Sequence, residues 1–251
     1  MGFSVSAYLV RGVLVDTAFP DVHRDVAQCL DTLRPTGVIV THYHEDHAGN
    51  ADLAAQRGIP LWVAPATLPR LRTPHPLLWY RRWCWGAPVA FTSAFLPFEP
   101  APLVCLRAPG HSDDHHVVWD AERSTMFGAD LFLGVKVRVS HPWPRENVRQ
   151  QIASLRQVVA LRPERYFDAH RGLVPNGVAQ LTAKADWIED TTGRVDELLA
   201  TGLGDRDIVR RVFGGEDWMS YPTQFDYSRR NFVASLRATS ATVRTPRATA
   251  P

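Results

Sequence analysis

One stretch, Thr41-His42-Tyr43-His44-Glu45-Asp46-His47-Ala48-Gly49, constrains this chain more than any other. It follows a short β-branched apolar run, Val38-Ile39-Val40, which reads as a buried strand. Ala51 to Gln56 behind it reads as a helix, so the cluster sits on a strand-to-helix turn. Side chains alternate along a strand, so His42 and His44 point the same way and can grip one ion together. Asp46 and His47 lie where the backbone has begun to turn and aim elsewhere. One loop therefore offers two ligand pairs, which suits two ions side by side. A His-x-His-x-Asp-His cluster after a strand has no obvious structural use without metal.

The remaining motifs repeat this placement. His111, Asp130 and His170 each fall just past a strand-like run: Leu103 to Leu106, Thr125 to Gly128 and Arg165 to Phe167. Metal ligands held at one edge of a sheet or sandwich are expected to look like this. Strands are also expected over Phe3 to Val10, Val13 to Val15, Ile59 to Val63 and Val117 to Trp119. Helices are expected after a cap at Asp21 and over Glu146 to Leu161. Strands then a helix, twice over, suggest an α/β chain of two repeated halves.

Residues 64–102 have no clean period and carry many prolines and aromatics, among them Trp79, Tyr80, Trp83 and Trp85. They are expected to be either an irregular insertion packed by its own aromatics or a wall over the site. Residues 179–237 read as a small helical extension, and 238–251, rich in Ala, Thr, Arg and Pro, as a disordered tail.

Composition narrows the function. The net charge of +2 over 251 residues gives no argument for nucleic acid or an anionic membrane. The first residues lack the shape of a signal peptide, since Arg11 and Asp16 interrupt them. Cys29, Cys84 and Cys105 are odd in number and not spaced as a zinc ribbon. They are expected to be reduced thiols in a cytoplasmic protein.

From Tyr8 to Gly172 the chain resembles the metallo-β-lactamase superfamily of metal-dependent hydrolases. His42-x-His44-x-Asp46-His47, Pro109-Gly110-His111, Gly128-Ala129-Asp130 and Ala169-His170-x-Gly172 stand in the family's order. The resemblance implies a four-layer αββα sandwich with a two-metal site at one edge, residues 1–178 forming that domain. It implies that His42, His44 and His111 hold a first metal and that Asp46, His47 and His170 hold a second. Asp130 would bridge both and, with Asp46, act in catalysis. Asp16-Thr17-Ala18 resembles the family's Asp-Thr-Gly turn, which makes Asp16 a support for the ligands. His115 takes a similar supporting place beside His111, whereas His23, His116 and His141 are expected at the surface and His75 has no partner in sequence.

Imidazole and carboxylate without thiolate suit two divalent ions, zinc first, with iron or manganese as alternatives. Two such ions about 3.5–4 Å apart can hold a bridging hydroxide that attacks at neutral pH. Fold alone does not choose the substrate. A bridging Asp130 with His47 resembles the family's hydrolases of thioesters, lactones and phosphodiesters, glyoxalase II among them, and the helical tail resembles the β-lactamase-like-2 branch, which includes ribonucleases and proteins of unassigned substrate. The expected function is hydrolysis of a small ester, thioester or lactone. The alternatives are a ribonuclease or phosphodiesterase, kept open by Arg70, Arg72, Arg81, Arg82, Arg229 and Arg230, and a single-iron sulfur dioxygenase. The C-terminal helices are expected either to cover the domain or to form a homodimer.

Overall fold

A computed structural model describes residues 4–138 and 140–244. The strands are β1 (Tyr8–Val10), β2 (Val13–Val15), β3 (Gly37–Val40), β4 (Leu61–Val63), β5 (Val104–Arg107), β6 (His116–Asp120), β7 (Thr125–Phe127), β8 (Arg165–Asp168) and β9 (Gly172–Leu173). The helices are α1 (His23–Leu33), α2 (Glu45–Ala48), α3 (Ala51–Gln56), α4 (Thr67–Arg72), α5 (Trp79–Trp85), α6 (Val148–Leu161), α7 (Gly177–Ala200), α8 (Asp205–Phe213) and α9 (Arg229–Arg244). β1 to β4 form one sheet in that order and β5 to β9 a second. In the first, β1 and β2 are antiparallel, while β2, β3 and β4 run parallel.

Period-two alternation explains the layers. On β3, Val38 and Val40 face one core with Leu14, Leu30, Ala54 and Leu61. Ile39 between them faces another, with Val13, Val15, Val118 and Phe127. On β6, β7 and β8, Val117, Met126 and Tyr166 face a third core with Leu155, Val158 and Leu181. Phe127 and Phe167 on the opposite face stack at 5.2 Å between the sheets. One core thus lies between the sheets and one lies under each outer helical layer. This is the expected αββα sandwich.

The cores also explain the ends of the chain. Ile188, Val195, Ile208, Val209, Phe232 and Leu236 join the same cluster as Leu155 and Val158, so the C-terminal helices share a core with the second sheet. The expected disorder from Ala238 gives way to α9, which runs to Arg244; residues 245–251 lie outside the described ones. Of the expected first strand, Phe3 lies outside the described residues, residues 4–7 are irregular and Tyr8–Val10 forms β1, and Asp21 lies in a 3-10 turn rather than capping α1. Residues 64–102 carry α4 and α5 within otherwise irregular chain. Cys29, Cys84 and Cys105 are free thiols. No helix among the described residues is long and apolar enough to cross a membrane.

Gly128 shows how tightly the site's approach is packed. A Cβ there would fall 1.9 Å from the Tyr166 hydroxyl, so only glycine lets β7 pass over that buried ring.

Lys184 on α7 is fully buried, and its ammonium donates to the Phe132 carbonyl. Burial lowers its pKa to about 7, although the nearby carboxylates of Asp168, Glu146 and Asp130 oppose the fall. The unfolded chain keeps the proton to about pH 10.4. Between those values the unfolded state binds more protons, so this group makes stability rise with pH from about 7 to about 10. Lys184→Met should flatten that rise in urea unfolding measured across the same window. An unchanged slope would show that Lys184 keeps an ordinary pKa.

Candidate metal centre

Four strand ends deliver the polar side chains to one edge. The loop after β3 brings His42 and His44, and the short α2 turns Asp46 and His47 the other way. His111 follows β5, Asp130 follows β7 and His170 follows β8. All the expected side chains meet, in two groups. His42, His44, His111 and Asp130 form one, and Asp46, His47, Asp130 and His170 form the other. Within each group one donor atom per residue lies within 4.8 Å of the others.

Asp130 belongs to both groups through different oxygens. Its Oδ2 lies 3.2 Å from His111 Nε2. Its Oδ1 lies 3.1 Å from His47 Nε2 and 3.2 Å from His170 Nε2. Asp46 Oδ2 lies 3.4 Å from His170 Nε2.

Several of the donor atoms face inward because other contacts hold their residues from behind. Asp16, just past β2, accepts from the Thr41 N–H at 2.8 Å and the Thr41 hydroxyl at 2.9 Å. Its Oδ2 also meets His47 Nδ1 at 2.8 Å, which turns His47 Nε2 inward. His42 Nδ1 meets the Thr41 hydroxyl at 3.1 Å, and His170 Nδ1 donates to the Ser4 carbonyl at 2.8 Å. His115 Nδ1 donates to the Ala108 carbonyl, leaving Nε2 to accept from the Asp130 N–H at 3.1 Å. His115 therefore supports Asp130, a more specific place than one beside His111. His170 is also held by its N–H, which donates to Asp168 at 2.9 Å.

What remains uncompensated fits cations. Asp46 Oδ1, His47 Nε2 and Asp130 Oδ1 are buried with no hydrogen-bond partner, although such atoms normally find one. His44 Nδ1 lies 3.0 Å from both His42 Nε2 and His111 Nε2, bringing three ring nitrogens onto one spot. Burial, then the charge of His47, holds the His42 pKa well below the ordinary value. Burial and the Arg81 charge do the same for His44, so both rings are neutral lone-pair donors at pH 7. Burial also works against a proton on His47, but Asp130, Asp46 and Asp16 outweigh it and hold the pKa well above the ordinary value. His170 follows the same pattern and rises to about 9 through Asp130. Divalent cations would take the place of those protons, as metal binding to imidazole requires.

Several residues at the site carried no signal in the sequence. Glu146 is buried, with Oε1 3.4 Å from His111 Nδ1 and 3.3 Å from His141 Nδ1. Its Oε2 accepts the N–H groups of Ser140 and His141 at 2.6 and 2.7 Å. His141 thus belongs to the site's support, not to an open surface, and His116 is buried at the start of β6. His23 is exposed, as expected. Asp114 accepts from the Tyr43 N–H and the Thr67 hydroxyl, fixing the metal loop to α4. Arg81 of α5 donates to both oxygens of Glu45, at 2.6 and 3.0 Å. Apart from the local pairing of Ser140 and His141 with Glu146, these partners are remote in sequence, and none follows a short motif.

Removing a contact behind a metal-binding imidazole typically lowers metal affinity about 10–100-fold. Asp16→Asn should therefore weaken divalent-metal binding by that factor in a competition titration against a chromophoric chelator. Unchanged affinity would show that Thr41 and the backbone suffice to hold the loop.

Comparison with known proteins agrees with this geometry. A profile described as the metallo-beta-lactamase superfamily matches residues 1–170. A beta-lactamase-like protein 2 homolog of Caenorhabditis elegans is 22% identical over 218 residues, covering 83% of this chain and 69% of that one. A Drosophila melanogaster protein of the same description is 25% identical over 186 residues, covering 68% of this chain and 58% of its own length. Among solved structures, TTHA1623 in a di-iron-bound form aligns with a TM-score of 0.56 at 25% identity, over 74% of this chain and 97% of that one. The metallo-beta-lactamase family protein TTHA1429 from Thermus thermophilus aligns with a TM-score of 0.63 at 18% identity, over 94% of this chain and 88% of its own. Sequence match, sandwich and ligand cluster lead to one conclusion: the chain belongs to the metallo-β-lactamase superfamily of metal-dependent hydrolases.

Proposed function

We propose that this protein is a dinuclear metal-dependent hydrolase of a small ester, thioester or lactone. The observation that carries this reading is Asp130, whose two oxygens face two separate donor groups. His42, His44 and His111 would hold one ion, and Asp46, His47 and His170 the other, with Asp130 shared. Two divalent cations so held supply Lewis acidity and a water acidic enough to attack near neutral pH. Zinc suits these donors, and the di-iron-bound neighbour keeps iron beside it.

The protein's own groups set the rest. Asp16, Glu146 and His115 keep the ligands in place. Asp46 directs Oδ2 toward His170, while its Oδ1 has no hydrogen-bond partner. With one of these oxygens given to the second ion, the other would carry a proton to the leaving group. Beside His44 lies a cavity of about 440 Å³, walled in part by Pro76, Leu77 and Leu78 of the 64–102 segment. Such a cavity suits a small molecule with an apolar portion, and in this reading that segment would be a wall for substrate.

Dialysis against a chelator should abolish turnover of a thioester and lactone panel, and zinc, iron or manganese should restore it. Asp130→Ala should remove activity and lower the bound-metal count from two. Asp46→Asn should keep both metals and lose turnover by about 100-fold or more, the scale of general acid catalysis. Full activity in Asp130→Ala would overturn the shared-ligand assignment. RNA cleavage without thioester or lactone turnover would replace the substrate class, and oxygen uptake with one iron would replace the reaction.

A further inference from the structure

The cleft beside the metal loop has a hydrogen-bonding bias that the ligand assignments leave unused. Three adjoining cavities meet at Tyr43 and His75, and the one that reaches His44 is also lined by Glu45, Arg81, Arg145 and Asp226. Its carboxylates are already engaged. Glu45 accepts from Arg81 at both oxygens. Asp226 accepts from Arg145 at Oδ1 and from the Tyr80 hydroxyl at Oδ2, the latter at 2.7 Å.

The guanidiniums are not used up. Each has five N–H donors and no acceptor. Among the described residues Arg145 donates only to Asp226, and its side chain is 43% exposed. Arg81 is mostly buried and spends one donor on each Glu45 oxygen, with a third facing His141 Nε2 at 3.5 Å. Its remaining N–H groups have no protein acceptor among the described residues. Glu45 holds this planar fork in a fixed orientation, which lowers the entropy lost on binding an oxyanion. The two guanidiniums are matched in charge by Glu45 and Asp226, so what the wall offers is spare N–H donors, while those carboxylates are already engaged. Its complement is a group rich in acceptors, and a planar oxyanion matches the guanidinium fork.

We propose that Arg81 and Arg145 form an oxyanion subsite beside His44, so that the substrate carries a carboxylate or phosphate that docks there while its scissile bond lies at the metal ligands. This rests on the hydrolase reading above, whose thioester or lactone it narrows to an anionic one. Tyr43, Leu77 and Leu78 give the linking hydrocarbon an apolar bed.

The test uses metal-loaded protein and two readouts. Calorimetry compares glutarate with pentanoate, which differ only in a second carboxylate. Glutarate should bind about tenfold tighter or more, and Arg145→Met should bring the ratio to about threefold or less. Arg145 is the position of choice because Asp226 keeps its Tyr80 contact without it, whereas loss of Arg81 would strand Glu45. The second readout is kcat/KM for three thioesters of one thiol whose acyl groups end in methyl, carboxylate or phosphate. The preferred anionic end identifies which source the subsite takes. Equal binding of the two acids, or a glutarate preference that survives Arg145→Met, would overturn the subsite. A glutarate preference lost in Arg145→Met sustains the subsite even where no thioester is cleaved, and in that case only the thioester reading fails.

Discussion

A buried carboxylate, Asp16, holds the metal edge together. Its backbone N–H donates to Ile39, its oxygens accept from the Thr41 N–H and hydroxyl, and one of them meets His47. A charge this deep is tolerated only when several donors satisfy it. In satisfying it, the chain fixes the exit of β3 and the ring of His47 in one step. Thr17 adds to this, since its N–H and its hydroxyl both donate to the His47 carbonyl, at 2.7 and 3.0 Å. The loop of donors is therefore made rigid by the chain's own hydrogen bonds.

That rigidity has an electrostatic consequence. The edge brings Asp46 and Asp130 together with five imidazoles in a space largely closed to water. The two sides of the cluster answer differently. His42 and His44 lose affinity for protons through burial and neighbouring positive charge, whereas His47 and His170 gain it from carboxylates. Asp130 stays ionised despite burial because His47 and His111 face it. The cluster is thus a set of neutral donors beside a set of proton-stabilised ones. Cations would satisfy both, through lone pairs on one side and through charge on the other.

Much of this was legible in the sequence, for a physical reason. The ligands follow strands, and strand periodicity is local, so the shared direction of His42 and His44 and the divergence of Asp46 and His47 could be read from a few residues. The β-branched runs likewise announced β2, β3 and β6. What stayed hidden depends on contacts across the chain. Glu146 and His111 are far apart in sequence, and a lone Glu before a helix reads as an ordinary first-turn residue. His141 looked like surface because the charge that anchors it lies in that same Glu. Lys184 falls on the buried face of α7 with Leu181 and Ile188, where hydrophobic periodicity expects no ammonium. Ala238 and its neighbours are helical because Phe232, Val233 and Leu236 anchor α9 in a core shared with α6 and α7, whereas composition alone suggested disorder.

The same contacts divide the work of the fold. The two sheets supply the metal donors, through strand ends that every layer holds in place. The cleft in front of them is built by segments outside the sheets. Trp79 Nε1 donates to the Pro222 carbonyl at 2.9 Å, and Tyr80 reaches Asp226, so α5 is fastened to the chain between α8 and α9. Arg81 in the same turn of α5 is fastened to Glu45 in the metal loop. One short helix therefore links the C-terminal extension to the donor loop and carries a guanidinium between them. The C-terminal extension does more than cover the second sheet, because Asp226, between α8 and α9, lines the cavity beside His44. Changes in α5 or in the 217–228 segment would then reshape the cavity beside His44 while the sandwich that holds the donor cluster stays the same.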